Sequence, residues 1–293
     1  MKDTTNTKKP IAEYVPLFVK SLQDKGRSPS TVLAYRSDID QLLSFLYERN
    51  KTLTDEVRSV DLENFRDFLL SQKYTAKSTS RKLNAIKTFF RWLKDNKFVE
   101  KDPSRDVSHP KIEASVPQFL TEKEYRSLRD HVRSDVRISA MVELILQAGL
   151  RISEVANLKL MHLKADRLTV ESYATQPERE VPLTNPAVVA IQMYMTARPQ
   201  LPNAIHLFVS KNGKPLAVRN IRAAIDRYLQ KAEMPQYSVN DLRTTFMVEN
   251  LKRGVDLILL SRVSGHKRLS TTERYLELAE IKTSGSKQHL NEL

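Results

Sequence analysis

The sequence contains no cysteine, which excludes a disulfide framework, a thiolate zinc site and a cysteine nucleophile. Histidine is scarce, six residues in 293, and none falls in a metal-ligand spacing such as HExxH, so no metal is expected. Apolar runs are short as well. None approaches the ~18 residues that a membrane-spanning helix needs, and the start, "MKDTTNTKKP", lacks the apolar core of a signal peptide. The expectation is a soluble, cytoplasmic protein without a membrane partner. Acidic residues are in deficit, 35 against 48 Lys+Arg, for a formal charge of +13. A polyanion is therefore the expected partner, with nucleic acid ahead of an anionic lipid surface. Residues 1–110 contribute +6 and residues 111–293 contribute +7, so the excess is not confined to a tail.

What is present is mostly helical periodicity. Ile11 to Lys25 carries Tyr14, Leu17, Phe18 and Leu22 at helical spacing and ends at Gly26. In "SPSTVLAYRSDIDQLLSFLYERN" Ser28 or Ser30 caps, Pro29 suits the first turn, and Tyr35, Ile39, Leu42, Leu43 and Leu46 form a stripe. Val60 to Gln72, with Leu62, Phe65, Leu69 and Leu70, and Ser78 to Asn96, with Leu83, Ile86, Phe89, Phe90 and Leu93, complete a four-helix domain. The polar face of that fourth helix holds Arg81, Lys82, Lys87, Arg91 and Lys94, a candidate surface for lying along phosphates.

"DPSRDVSHPKIEASVPQ" has three prolines and no periodicity and is assigned as a linker. The expected division is a helical DNA-binding domain over 1–107, a linker over 108–117 and a second domain over 118–293. There, Thr121 and Glu124 make a capping-box pattern and "ISAMVELILQAGL" is an apolar helix stopping at Gly149. "RLTVES" with "REVPLT" predicts one hairpin, and "HLFVS" with "KPL" around Asn212-Gly213 a second. Further helices are predicted over about 218–233, 242–253, 257–263 and 270–278. The fold class is mainly α with a small β component.

Three separate boxes then occur in order. "QAGLRISEVANLKL" is similar to a TGLRxSELxxL box, "VNDLRTTFMVENL" to HxLRHTFAT, and "VSGHKRLSTTERY" to LGHxxxxTTxxY. With "SPSTVLAYRSDIDQLLSFL" and "STSRKLNAIKTFFRWL" in the first half, the chain resembles the tyrosine recombinases, the lambda-integrase or Xer/Cre-like site-specific recombinases, over about residues 11–280. The resemblance implies a SAM-like core-binding domain and a mixed α/β catalytic domain arranged as a C-shaped clamp. It assigns Arg151 and Arg243 as catalytic arginines, His266 to the His/Trp position and Tyr275 as nucleophile, with Asn240 in the place of the family's histidine. Arg179 matches the arginine of the family's hairpin turn and joins the DNA-binding set. The implied partners are a double-stranded recombination site, three further copies in a tetramer on two sites, and possible accessory proteins.

The chemistry fits those residue types. A tyrosine hydroxyl displaces a deoxyribose 5′ oxygen only if the charge building on phosphorus is neutralised, and planar guanidiniums bind two phosphate oxygens at once. Both arginines are expected at helix starts, where backbone N–H groups also face the anion. The covalent link conserves the phosphodiester's energy, so no cofactor is expected. The resemblance implies resealing through a Holliday junction, in an Xer/Cre-like enzyme or a transposon resolvase or integrase. Two departures stand out. Asn240 cannot exchange a proton near neutrality, and "ESYATQPEREVPL" lacks the lysine of the family's GKGxKxR turn, leaving Lys164, Lys211 or Lys214 as substitutes. The alternative they raise is a catalytically impaired DNA-binding homologue. The terminal "LELAEIKTSGSKQHLNEL", with Leu290 and Leu293, is expected to dock on a neighbouring protomer.

Overall fold

The computed structural model describes residues 9–113, 116–172, 177–202 and 204–279. Their chain falls into two compact units, Met1–Ser115 and Val116–Leu293.

In the first unit a 3₁₀ turn, Ile11–Glu13, leads into α1 (Tyr14–Asp24), followed by α2 (Pro29–Tyr47), α3 (Ser59–Ser71) and α4 (Ala76–Asp95). Ser28 caps α2 by accepting the Thr31 N–H at 3.3 Å with Pro29 at the first position, and Thr75 caps α4 from the Ser78 N–H at 3.2 Å. The apolar stripes meet in one core around Phe18, Ile39, Leu42, Phe65, Leu83 and Phe89. Each such aromatic or aliphatic side chain contributes about 1.5–3 kcal/mol by leaving water. Two stripe positions do not reach it: Leu17 is 51% and Leu70 39% exposed, and Val15 is buried on α1 instead. The helix turns Val15 rather than Leu17 beneath Phe18, because positions 14, 15, 18 and 22 share one face at 3.6 residues per turn.

In the second unit α5 (Glu122–Val132) begins at the expected capping box, with Thr121 and Glu124 exchanging hydrogen bonds. The helix α6 (Val136–Ala148) is buried on nearly every side and packs against α8 and α10, as an all-round apolar helix must. It stops at Gly149, whose φ of +62° is left-handed and where a Cβ would lie 2.4 Å from the Phe246 ring, so only glycine fits. After it come α7 (Ile152–Asn157), β1 (Arg167–Val170), β2 (Arg179–Pro182), α8 (Asn185–Ala197), α9 (Val218–Lys231), α10 (Val239–Lys252), α11 (Leu257–Val263) and α12 (Ser270–Glu273). The strands pair antiparallel with Leu168 opposite Val181.

The second expected hairpin reduces to a single bridge, Val209 to Pro215. Pro215 has no N–H to extend a ladder. The last helix ends at Glu273 rather than 278 and continues as turns. The proposed docking tail with Leu290 and Leu293 lies outside the described residues.

Candidate active site

The three boxes converge on the turn that follows α11. Its carbonyls are held by guanidiniums arriving from three other elements. Arg151, the N-cap of α7, donates Nη1 to Ser264 O at 3.1 Å and Nη2 to Gly265 O at 2.8 Å. Arg179, opening β2, donates Nε to Val263 O at 2.7 Å. Arg243 of α10 donates Nη2 to Ser264 O at 2.6 Å and Nη1 to Gly149 O. Gly265 has φ +64°, and a Cβ there would stand 2.8 Å from the Arg179 Cζ, so the turn's conformation and the guanidinium's approach both require glycine.

One carboxylate organises the cluster. Glu154, with its side chain 8% exposed, accepts both Nη atoms of Arg179 at 3.0 and 2.8 Å, Nη1 of Arg151 at 2.9 Å and the Arg151 backbone N–H at 2.8 Å. Burial works to raise its pKa, but the hydrogen bonds from Arg179 and Arg151 and the two guanidinium charges outweigh it and hold Glu154 below the usual carboxylate range. Three cations against one anion leave the site electropositive, which suits a phosphodiester. Arg151 commits three of the five N–H donors of a guanidinium to these partners and so keeps two for an anion.

Arg243 is deeply placed: burial first, then the charge of Arg151, push its pKa down to about 10, still protonated at neutral pH. It lies in the second turn of α10, because the helix starts at Val239 rather than Leu242. Only Arg151 therefore sits at a helix start. Asn240 is exposed on the first turn of α10 and lines a cleft of about 290 Å³ with Arg151, Ser153 and Arg243.

His266 follows the turn directly. Its Nε2 faces Arg243 Nη2 at 3.1 Å and its Nδ1 faces Thr272 Oγ1 at 2.8 Å. A guanidinium only donates, so Nε2 is the acceptor and the proton sits on Nδ1, bonded to Thr272. Burial, then Arg243, Arg151 and Arg179, push its pKa down to about 4. Since that value lies below the unfolded one of about 6.5, its contribution to stability is complete above about 6.5 and is lost as pH falls towards 4. In an NMR titration of the DNA-free protein His266 should therefore titrate near 4, and vanadate filling the arginine cleft should raise the midpoint. A midpoint near 6.5 in the free protein would contradict this geometry.

Tyr275 lies in the turns after α12, half-buried, with its ring against the cluster of Phe246, Met247, Leu251 and Leu260. The ring stacks on His266, with centroids 6.4 Å apart and planes 18° apart. Tyr275 therefore lies beyond the end of the helix expected over 270–278, and it is not exposed. The apolar ring packs, and its hydroxyl makes no hydrogen bond among the described residues.

Several predicted contacts with DNA fall elsewhere. The Arg179 side chain is 8% exposed and spent on Glu154 and Val263, so it braces the cluster rather than meeting a duplex. Lys82 is buried, with Nζ 2.9 Å from Asp38, and Arg81 grips the same carboxylate at 2.6 and 2.9 Å. A buried Asp38 needs compensating cations, and these two satisfy it. On α4, Arg91 is exposed and Lys87 half-exposed, its Nζ 3.4 Å from the Arg105 carbonyl. Removing both charges should flatten the log–log salt dependence of DNA binding by about 2 units if both touch phosphates. Removing Arg81 and Lys82 should instead lower the unfolding midpoint. An unchanged slope for the first pair would return it to plain solvated surface.

Glu154, Gly265 and Thr272 were not singled out from sequence. For Glu154 a signal existed, since an acidic residue three places after the N-cap position reaches back to its N–H. Among the described residues no three His, Cys, Asp or Glu side chains converge as a metal site.

Comparison with known proteins places these elements in context. Residues 118–281 match the phage integrase family, and residues 15–97 match the phage integrase N-terminal SAM-like domain. The tyrosine recombinase XerC of Roseiflexus sp. (strain RS-1) is 27% identical, over 91% of this chain and 89% of that protein. The tyrosine recombinase XerD of Pasteurella multocida (strain Pm70) is 29% identical, over 95% of this chain and 96% of that one. The crystal structure of a lambda integrase tetramer bound to a Holliday junction shares the fold, with a TM-score of 0.75 at 15% identity, over 92% of this chain and 78% of that one.

Proposed function

This chain belongs to the phage integrase family and is a tyrosine site-specific recombinase, and we propose that it cuts and rejoins DNA through a covalent 3′-phosphotyrosyl intermediate formed by Tyr275. The carrying observation is the convergence of Arg151 and Arg243 on the one turn that presents His266, with the Tyr275 ring stacked on that imidazole. In the proposed reaction Arg151 and Arg243 take the nonbridging oxygens of the scissile phosphate with the donors they have free. Charge appearing on those oxygens is then met by dipoles and cations already in place, which costs no reorganisation. Neutral His266 is held by Arg243 and Thr272, and Asn240 at the cleft's rim donates its amide to a phosphate oxygen. Attack by Oη expels the 5′ oxygen, and a 5′-hydroxyl from the partner duplex later reverses the step without cofactor or metal.

The first unit supplies the grip on DNA outside the cleavage point, through Lys87 and Arg91. The working assembly is a homotetramer on two double-stranded sites, passing through a Holliday junction, as the fold shared with a tetrameric lambda integrase on such a junction supports. Similarity to XerC and XerD along nearly the whole chain favours an Xer-like enzyme, and the same reading places it in the cytoplasm, open to accessory proteins. No helix among the described residues is long and apolar enough to cross a membrane. The test is selection of a bound duplex from a random library, followed by incubation with the same duplex nicked beside the presumed cleavage point. An SDS-resistant adduct at a 3′ phosphate is expected, and binding without any adduct would overturn the proposal.

A further inference from the structure

A leaving 5′ alkoxide is strongly basic and needs a proton as it departs. The groups around the scissile phosphate are poor sources. His266 is neutral, its one N–H spent on Thr272, and the guanidiniums of Arg151 and Arg243 are committed to carbonyls of the turn and, in the reading above, to the nonbridging oxygens. The lysines considered from sequence stand apart. Lys164 pairs with Glu180 at 2.7 Å and borders a different depression, with Leu183 and Gln192. Lys211 and Lys214 are exposed on the turn around Gly213 and line neither cleft beside the arginines.

A second cavity, of about 270 Å³, opens beside the arginine cleft, and Ser153 lines both. Glu154, which orients Arg151, also borders it. Inside lie Lys159, His162, His206 and Glu171. The Lys159 ammonium is 2.7 Å from the Glu171 carboxylate, whose same oxygen is 3.2 Å from His162 Nε2. Lys159 is only 27% exposed, so its head group is directed rather than free in solvent. Displacement at phosphorus puts nucleophile and leaving group on opposite sides. Here Tyr275 arrives from the segment after α12, whereas the cavity is built from α7, the residues after it and the end of β1.

We propose that Lys159 is the catalytic acid of this enzyme, delivering a proton from Nζ to the departing 5′ oxygen across Ser153. The assignment rests on the recombinase reading above. As the bond from Tyr275 Oη to phosphorus forms, the bond from phosphorus to O5′ breaks with its electron pair on oxygen, and that oxygen takes the Lys159 proton. The phenol's proton passes to solvent and Lys159 recovers one from solvent, so the step consumes no acid. Glu171, 2.7 Å from Nζ, aims the ammonium.

The experiment compares the full-length parent with Lys159→Ala and Lys159→Arg on nicked duplexes bearing either oxygen or a 5′-bridging sulfur at the scissile position. A thiolate leaves without a proton. Both variants should cleave the oxygen substrate about 10²–10⁴-fold more slowly than the parent and the sulfur substrate within about threefold of it. Lys159→Arg keeps the charge pair with Glu171, so its slowness would separate proton donation from local structure. Parental rates on oxygen for Lys159→Ala would overturn the assignment, as would equal losses on both substrates. A parent protein that forms no adduct on either substrate would instead overturn the recombinase reading itself.

Discussion

Tyr275→Phe is expected to leave DNA affinity within about twofold of the parent, as for a change that removes no packed contact, while abolishing the covalent adduct completely. The ring is what the fold uses. It packs against Phe246, Met247 and Leu260 and stacks on His266 at 6.4 Å, and phenylalanine keeps all of this. The hydroxyl has no hydrogen-bond partner among the described residues, so its loss should change stability by no more than about 0.5 kcal/mol. Gel-shift titration, thermal unfolding and denaturing electrophoresis after incubation with a nicked duplex measure the three quantities separately. An SDS-resistant adduct surviving in Tyr275→Phe would assign the nucleophile elsewhere, and a collapse in stability would make the variant uninformative about chemistry.

How far such a site could be read in advance depends on whether its geometry is local. Arg151, His266 and Tyr275 are marked by spacing within short boxes, and the capping signals at Ser28 and Thr121 involve neighbours three residues apart. Those readings needed no tertiary knowledge. The burial of Lys82 did, because its reason is Asp38, forty-four residues earlier on α2. On a helical wheel a lysine beside Arg81 reads as solvated face, and only the partner helix reveals a buried carboxylate there. The helix α8 escaped for the opposite reason. "NPAVVAIQMYMTA" is apolar on most sides, with Val189 and Met193 exposed while Ile191 and Tyr194 are buried, so it shows no polar face to fix a period. Arg179 opens β2 of the expected hairpin, yet its direction is invisible in the sequence, since Glu154 and Val263 come together with it only in three dimensions.

Glu154→Ala should produce the largest loss of stability in the catalytic unit, about 3–5 kcal/mol, the range for removing one partner of a buried ion pair. The carboxylate faces both Arg151 and Arg179, and with it gone the buried Arg179 keeps, among the described residues, the Val263 carbonyl alone. Arg243, whose pKa burial and then the charge of Arg151 already depress, would lose a favourable anion nearby as well. Because the Glu154 pKa is held below the usual carboxylate range, its contribution is present throughout neutral and mildly acidic pH and is lost only as pH falls through that lowered value. Urea unfolding at pH 7 should therefore show the full deficit. A double-mutant cycle with Arg179→Met distinguishes a true pair from general damage: the double variant should be less destabilised than the two single changes summed, since neither charge is then stranded. Cleavage should fall together with stability, because Arg151 would lose one of the contacts that fix its guanidinium, and repulsion among three arginines would open the turn before His266. A deficit below about 1 kcal/mol, the value of an exposed pair, would show that solvent already screens this cluster, and the organising role assigned to Glu154 would have to be given up.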